Sequence, residues 1–449
     1  MKEDGTMYRK LIHEIEAWEK ASTPEPLMVI GARQVGKTWL LKEFCQSQYS
    51  DWLYINLEEQ SSIQSVFDGD LSPGTILRNL SILIGRKITE NTALFLDEIQ
   101  VCERAITSLK YFCEAKENYR VITAGSLLGV KMNRFSSSFP VGKVHICHLY
   151  PLDFEEFLLG CGEDLLRDSI QEAFVKIHPL PNAIHEKALQ LCYDYMIVGG
   201  MPQAVLGYLD KNKDISSFPR DIHRNLIMTY LADMTKYVRS PYETEKISQV
   251  YQSVPRQLAK ENPKFKYNLV RSTANRRDFD APIDWLKTAG MVLQIMALEA
   301  PLTPLKGYVK ESSFKLYLSD VGLLSALSDV RPRDLIPEQD NLYKGPIAEN
   351  YIAQQLIVQR DSLYYFKPSE SLEIDLIEDD GTHIVPVEIK AGRHKKSRSL
   401  QNYIEKYHPE YAIRISALNF GKADRLFSIP LYSVFCLASG HIPLTNECT

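Results

Sequence analysis

The stretch LMVIGARQVGKTWLLKEF, residues 27–44, constrains the fold more than any other in this 449-residue chain. Leu27 to Ile30 form an apolar run of the length expected for a strand buried on both faces. A short loop and then a helix follow. Gly31, Gly36, Lys37 and Thr38 fit G-x-x-x-x-G-K-[ST] without a mismatch. The glycines let backbone N–H groups close around phosphate oxygens. Lys37 supplies positive charge at the β- and γ-phosphates, and the Thr38 hydroxyl suits Mg²⁺. The start of the helix offers its dipole to the same anion. The expected cofactors are therefore ATP and Mg²⁺, with Gly31, Arg33, Gly36, Lys37 and Thr38 around the nucleotide.

Such a loop needs a carboxylate at the end of a neighbouring strand, and TALFLDEIQ supplies two. Ala93 to Leu96 are apolar; Asp97 follows as the acid on the Mg²⁺ side and Glu98 as the base that orients the attacking water. YRVITAGS reads as a third strand, with Thr123 and Ser126 as candidate sensors of the γ-phosphate. Trp52 to Gln60 read as a further strand with Asn56, Glu58 and Glu59 at its exit. Strands alternating with helices predict an α/β domain: a parallel sheet with the ligand at the C-terminal edge of its strands.

Taken together, GARQVGKT, LFLDEIQ, TAGS and YPLDFEEFL resemble the bacterial and archaeal AAA-type P-loop ATP-binding proteins that carry a C-terminal domain of unknown function. VGGMPQAV, FKLYLSDVGLL and GPIAENYIAQQL extend the resemblance over nearly the whole chain. Relatives often have Gly-Arg before the PLDF segment; here the pair is Gly142-Lys143, a charge without the planar fork of arginine. Arg33 and Arg134 remain as candidate γ-phosphate contacts, and no arginine finger is assigned. Since AAA-type sites commonly use a neighbouring subunit, the resemblance leaves a homo-oligomer open.

Composition narrows the class. With 45% hydrophobic and 24% charged residues the chain reads as soluble and globular, and its length calls for several domains. A net charge of −5 excludes a globally basic nucleic-acid binder, so any basic surface must be local. The eight cysteines form no CxxC pair, so no zinc cluster is expected, and their scatter suits a reducing cytoplasm. No apolar run of membrane-spanning length is present.

Residues 160 to 240 read as helices with a turn at Gly199 to Pro202, a packing or hinge element. Beyond them, SQVYQSVPRQLAK reads as a helix that Pro255 kinks or divides. ANRRDFDAPIDWLKTAG reads as another helix, and two strands follow. That order suggests a winged helix, and it resembles archaeal ATPases in which a P-loop domain precedes a winged helix and a nuclease-like domain. Lys264, Lys266, Arg271, Arg276 and Arg277 cluster around the candidate recognition helix, where they suit DNA phosphates.

The last part presents a second constellation. Leu372, Ile374 and Leu376 alternate with Glu373 and Asp375 as on a half-buried strand. Glu388 and Lys390 share one face of the next strand. With Glu349 from the preceding helix, the set resembles the PD-(D/E)XK nuclease fold. The resemblance implies Glu349, Asp375 and Glu388 as metal ligands, and Glu388 with Lys390 as catalytic groups. Arg393, Lys395, Lys396 and Arg398 then offer phosphate contacts.

The expected organisation is an ATPase domain at 1–158, a helical region at 159–244, a winged-helix-like domain at 245–335 and an α/β restriction-nuclease-like domain at 336–449. The expected function is a cytoplasmic, ATP-hydrolysing switch coupled to a nucleic-acid-binding, nuclease-like domain, with DNA favoured over RNA and no membrane partner. A non-nucleolytic switch whose C-terminal half binds a protein is the alternative. A metabolic kinase is disfavoured, because no acceptor-binding lid is evident.

Overall fold

In a computed structural model the described residues are 7–22, 25–126, 139–238, 240–335, 341–393 and 398–439. The chain divides into two compact units.

The first unit spans Arg9–Tyr150 and adds Thr288–Gly290. Its five strands are β1 (Leu27–Ile30), β2 (Trp52–Asn56), β3 (Ala93–Asp97), β4 (Val121–Gly125) and β5 (His145–His148), in the order β2-β3-β4-β1-β5. All of the pairs are parallel. Helix α1 (Leu11–Glu19) precedes the sheet, and the crossover helices α2 (Lys37–Gln48), α3 (Pro73–Ile84) and α4 (Glu103–Glu114) follow from the same alternation. Every residue of β3 and β4 is buried, which is why their sequences read as unbroken apolar runs rather than alternating ones. Ile76 and Leu80 of α3 and Ile106 and Leu109 of α4 close on Leu94 and Leu96 to make the core. The parallel arrangement brings the ends of β1, β3 and β4 to one edge of the sheet, as expected.

The second unit holds Pro151–Lys287 and the chain from Met291 onward. Helices Asp164–Lys176, Asn182–Val198, Pro202–Leu209 and Asp221–Tyr237 confirm the helical reading of this region. The Gly199-Gly200 turn packs against a buried acid: Gly200 N donates to Asp320 Oδ2 at 2.6 Å. Asp320 also accepts from Leu323 N at 3.0 Å and so caps the helix Val321–Leu327. Pro255 does not divide its helix. It lies in the last turn of a continuous segment Pro241–Leu258, where it costs a single i→i−4 hydrogen bond near the helix end.

The larger departure concerns the region read as a winged helix. Helices Pro241–Leu258, Tyr267–Val270 and Arg276–Thr288 do precede an antiparallel pair, β6 (Val292–Leu298) and β7 (Val309–Leu318). The pair is not a free wing. The second edge of β6 pairs in parallel with β8 (Tyr364–Ser369), matching Met296 to Tyr364. The sheet continues through β9 (Leu372–Asp379), β10 (Ile384–Ile389), β11 (Ala412–Ser416), β12 (Gly421–Ala423) and β13 (Leu426–Pro430). It has eight strands in the order β12-β13-β11-β10-β9-β8-β6-β7. The boundary expected at 335/336 therefore falls within one continuous sheet. Burial on both faces of β6 offers the reason: Val292, Leu293, Ile295, Ala297 and Leu298 are all buried, more than a two-stranded wing could cover.

Candidate functional site

The phosphate loop is shaped by two glycines. Gly31 leaves β1 so close to the neighbouring strand exit that a Cβ there would lie 2.1 Å from the Leu149 carbonyl oxygen. Gly36 has φ of 98° and starts α2, a left-handed conformation that disfavours any side chain. Between them Gln34 also has a positive φ, 64°. Lys37 is buried, and its Nζ donates to the carbonyls of Gly31 at 3.0 Å and Ala32 at 2.7 Å. Burial lowers its pKa to about 8, with the charges of Glu98 and Asp97 opposing.

Asp97 ends β3 beside the loop. Its Oδ2 accepts from Thr38 Oγ1 at 2.7 Å and from Tyr54 OH at 3.1 Å, while Oδ1 accepts from the Glu98 N–H at 3.0 Å. Burial raises the Asp97 pKa, and the charge of Glu98 adds to it, against the Thr38 hydrogen bond. Glu98 itself sits in left-handed backbone, φ 50°, where the chain turns out of the strand. Its Oε2 accepts from Ser126 Oγ at 3.0 Å and from the Gln100 amide. Gln100 also reaches Ser126 Oγ at 3.3 Å. The exits of β3 and β4 are thus joined by one polar chain, Gln100–Ser126–Glu98. The two candidate sensors separate here: Ser126 faces the site, whereas Thr123 donates to Leu27 O at 3.0 Å inside the sheet.

Other expected residues have different roles. Arg33 lies 3.9 Å from Glu58 across the loop mouth. Asn56 caps a turn, accepting from the Glu58 and Glu59 N–H groups at 3.0 and 3.2 Å. Lys143 pairs with Glu114 at 3.4 Å. Arg134 lies outside the described residues. Sequence reading missed Arg9, which is buried and braces the loop from behind: Nη1 donates to Val35 O at 2.7 Å and Nη2 to Tyr150 O at 2.5 Å. Its place in a charged N-terminal stretch gives no signal of that role.

The C-terminal residues converge as well. Glu349, Glu373, Asp375, Glu388 and Lys390 line one pocket of about 370 Å³, together with Ser399 and the segment 258–263. The antiparallel register ends with Val387 matched to Leu376, so Glu388 and Asp375 are the next residues on their two strands. Asp375 Oδ2 accepts from Ile389 N at 2.7 Å, and Lys390 Nζ lies 2.6 Å from Glu388 Oε1. Asp375 is pushed well up by burial and then by the charges of Glu349 and Glu388. Burial alone would lower the Lys390 pKa, but the charge and hydrogen bond of Glu388, with the charges of Asp375 and Glu349, push it up.

Three further residues here escaped the sequence reading. Lys315 is 1% exposed, with Nζ 3.2 Å from Glu349 Oε2 and 3.0 Å from Glu373 Oε1. Burial alone would lower it, yet Glu349, Tyr317, Glu373 and Asp375 raise it well above the usual lysine value. Tyr317 OH donates to Glu349 Oε2 at 2.5 Å, and Lys367 Nζ to Glu373 Oε2 at 2.7 Å. The available signal was a lysine inside the apolar strand FKLYL, with Tyr317 on the same face. Of the basic residues, Lys266, Arg271, Arg276 and Arg277 are exposed. Arg276 pairs with Asp280 at 2.8 Å, and Arg393 with Glu186 at 2.6 Å. Lys395 and Lys396 lie outside the described residues.

Residues 23–158 match the family model of an AAA domain. This part of the chain is an AAA domain with a P-loop. Residues 189–334 match a domain of unknown function (DUF8612) and residues 344–434 another (DUF4143). The two meet between 334 and 344, although the sheet described above runs across both. The chain matches no curated protein. Among solved structures it is similar to a Walker-type ATPase of Pyrococcus abyssi, at 15% identity and a TM-score of 0.45, over 72% of this chain and 97% of that one. It is similar to the ORC2 protein of Aeropyrum pernix in its ADPNP-ADP complexes, at 12% and 0.37, over 72% and 93%. It is also similar to the ORC1 protein of Aeropyrum pernix in complex with DNA, at 12% and 0.31, over 73% and 95%. None of these likenesses carries a functional statement to this chain. No helix among the described residues is long and apolar enough to cross a membrane.

Proposed function

We propose that the AAA domain binds and hydrolyses ATP, and that its nucleotide state governs a C-terminal pocket that acts on phosphodiesters of nucleic acid, DNA before RNA. The observation that carries the ATPase reading is the run of contacts from Thr38 through Asp97 to Glu98 and Ser126. It supports that reading by lining up the Thr38 hydroxyl, two carboxylates and the Ser126 hydroxyl along one sheet edge. Gly31 and Gly36 leave room for phosphate oxygens, and Lys37, now bonded to the loop's own carbonyls, is the cation that would turn to them. The oxygens of Thr38 and Asp97, 2.7 Å apart, are a donor set that fits Mg²⁺. When bound, Mg²⁺ neutralises charge developing on the transferred phosphate. Glu98 orients the attacking water and takes its proton, held in place by Ser126 and Gln100.

The test separates binding from turnover. Lys37→Ala should sharply weaken equilibrium binding of a labelled ATP analogue with little change in the melting of the unliganded protein. Glu98→Gln should keep binding while lowering turnover by about 100-fold or more. Equal turnover in Glu98→Gln and the wild type would remove Glu98 as the base.

For the pocket, support comes from Asp375 and Glu388 on adjacent strands and from Glu349 across from them. As they stand, the ligand atoms of these three carboxylates do not all lie within 4.8 Å of one another, so holding one divalent cation would require a side chain to turn inward, with Lys390 beside Glu388 to orient a water. A second reading is a non-nucleolytic switch that binds a protein. It is favoured by the pairing of Arg276 and Arg393 with neighbouring acids and by the cations Lys315 and Lys367 among the pocket's carboxylates.

A further inference from the structure

The AAA domain carries a cluster at the far side of its sheet that the ATPase chemistry does not use. Among the described residues, β5 is an edge strand, bonded to β1 alone. Its His145 and Cys147 are two residues apart, so both point to the same face. Helix α1 crosses that face and sets Glu14 above them. Glu14 Oε1 lies 3.3 Å from His145 Nε2 and 3.2 Å from Cys147 Sγ. The three ligand atoms all fall within 4.8 Å of one another.

We propose that Glu14, His145 and Cys147 form a binding site for a thiophilic divalent cation, Zn²⁺ in the first instance. The argument is one of spacing and donor type. Tetrahedral zinc has bonds of about 2.0 Å to nitrogen and oxygen and about 2.3 Å to sulfur, which sets neighbouring donors about 3.3–3.5 Å apart. The His145–Glu14 distance matches that spacing and the Cys147–Glu14 distance falls a few tenths of an ångström short of it, a gap that a small side-chain turn closes. One thiolate, one imidazole and one carboxylate favour zinc over Mg²⁺ or Ca²⁺, which take oxygen. Three protein ligands leave the fourth position to water, and it can be reached, because His145 and Glu14 are 42% and 50% exposed at their side chains. Cys147 is buried at the base of the cluster. Binding balances simply: the Cys147 S–H bond breaks, its proton passes to solvent, and sulfur bonds the metal, while His145 binds as the neutral ring through Nε2. In the metal-free protein the thiol stays protonated. Burial, and then the hydrogen bond to the Glu14 carboxylate, push its pKa well up. A bound cation would stabilise the same sulfur as thiolate.

The site would fasten α1 to the sheet edge. Arg9, just before α1, braces the phosphate loop at Val35. The cation would therefore anchor the helix from which that brace hangs.

The test uses the full chain and the metal alone. Co²⁺ added to the metal-free protein should produce a thiolate-to-cobalt charge-transfer band, which Zn²⁺ then abolishes by displacement. The P-loop site and the C-terminal pocket contain no cysteine, so they cannot produce the band. Cys147→Ser should eliminate it. Glu14→Gln and His145→Gln change exposed side chains that the fold tolerates, and each should weaken Zn²⁺ binding by at least about tenfold. A wild-type protein without the band, a band that survives Cys147→Ser, or unchanged zinc affinity in both exposed variants would overturn the assignment.

Discussion

Lys37 carries the most consequential single charge in the AAA domain. Its amine is surrounded by backbone carbonyls and protein rather than water, and its pKa falls to about 8. Phosphate must raise that value, so nucleotide binding takes up a proton wherever the free amine is neutral. ADP, whose phosphates are already ionised above neutrality, should bind roughly 30-fold more weakly at pH 9.5 than at pH 7 by this linkage. Calorimetry across that range checks it, and a flat profile would mean that Lys37 stays charged without ligand. For stability the sign reverses. The folded pKa lies below the unfolded one, so the unfolded chain holds the extra proton between about pH 8 and 10.5. Lys37 therefore makes the unliganded domain relatively more stable as pH rises through that window. The identity of this residue was legible from G-x-x-x-x-G-K-[ST], because loop chemistry is local. The role of Arg9 was not, because nothing near it in sequence records that Val35 and Tyr150 will meet it.

At the scale of elements, the informative assembly is β7 with the helix Lys344–Ile357 and β9. β7 aims Lys315 and Tyr317 inward, the helix supplies Glu349, and β9 supplies Glu373. The ammonium is almost fully enclosed, and its two carboxylate partners are mostly so. Lys315→Met would leave those acids without their shared cation and should destabilise the second unit by roughly 3–5 kcal/mol. Lys315→Met combined with Glu349→Gln should recover part of the loss. Denaturant unfolding of the full chain measures both, and an additive double variant would show that the two groups do not interact. Sequence periodicity located the strands and put Glu388 and Lys390 on one face, since alternation is a property of one strand. It could not pair β6 with β8, because the parallel match is made over roughly seventy residues and leaves no local trace. The same limit hid the Glu14–His145–Cys147 cluster, whose members lie at opposite ends of the domain's sequence.

For the molecule as a whole, charge sets the terms of contact with nucleic acid. The chain is acidic overall, at −5, so binding to DNA must come from a restricted basic surface. Lys266, Arg271 and Arg277 are exposed on a segment that follows directly from 258–263, part of the lining of the C-terminal pocket. If Lys266 and Arg277 each neutralise one phosphate, changing both to Ala should reduce the slope of log affinity against log salt by about two. Fluorescence anisotropy with a DNA duplex at several salt concentrations measures the slope. A wild type with no DNA affinity at low salt would favour the protein-binding reading of the same half of the chain.

The continuous eight-stranded sheet also has a history on the ribosome. β6 and β7 can close on each other once Leu318 has been made, but β8 begins only at Tyr364. At roughly 5–20 residues per second the intervening stretch takes a few seconds to synthesise. Throughout that interval the inner edge of β6 presents unpaired N–H and C=O groups. The nascent hairpin is complete in sequence long before it is complete in hydrogen bonds, and chaperone attention during synthesis belongs at that edge.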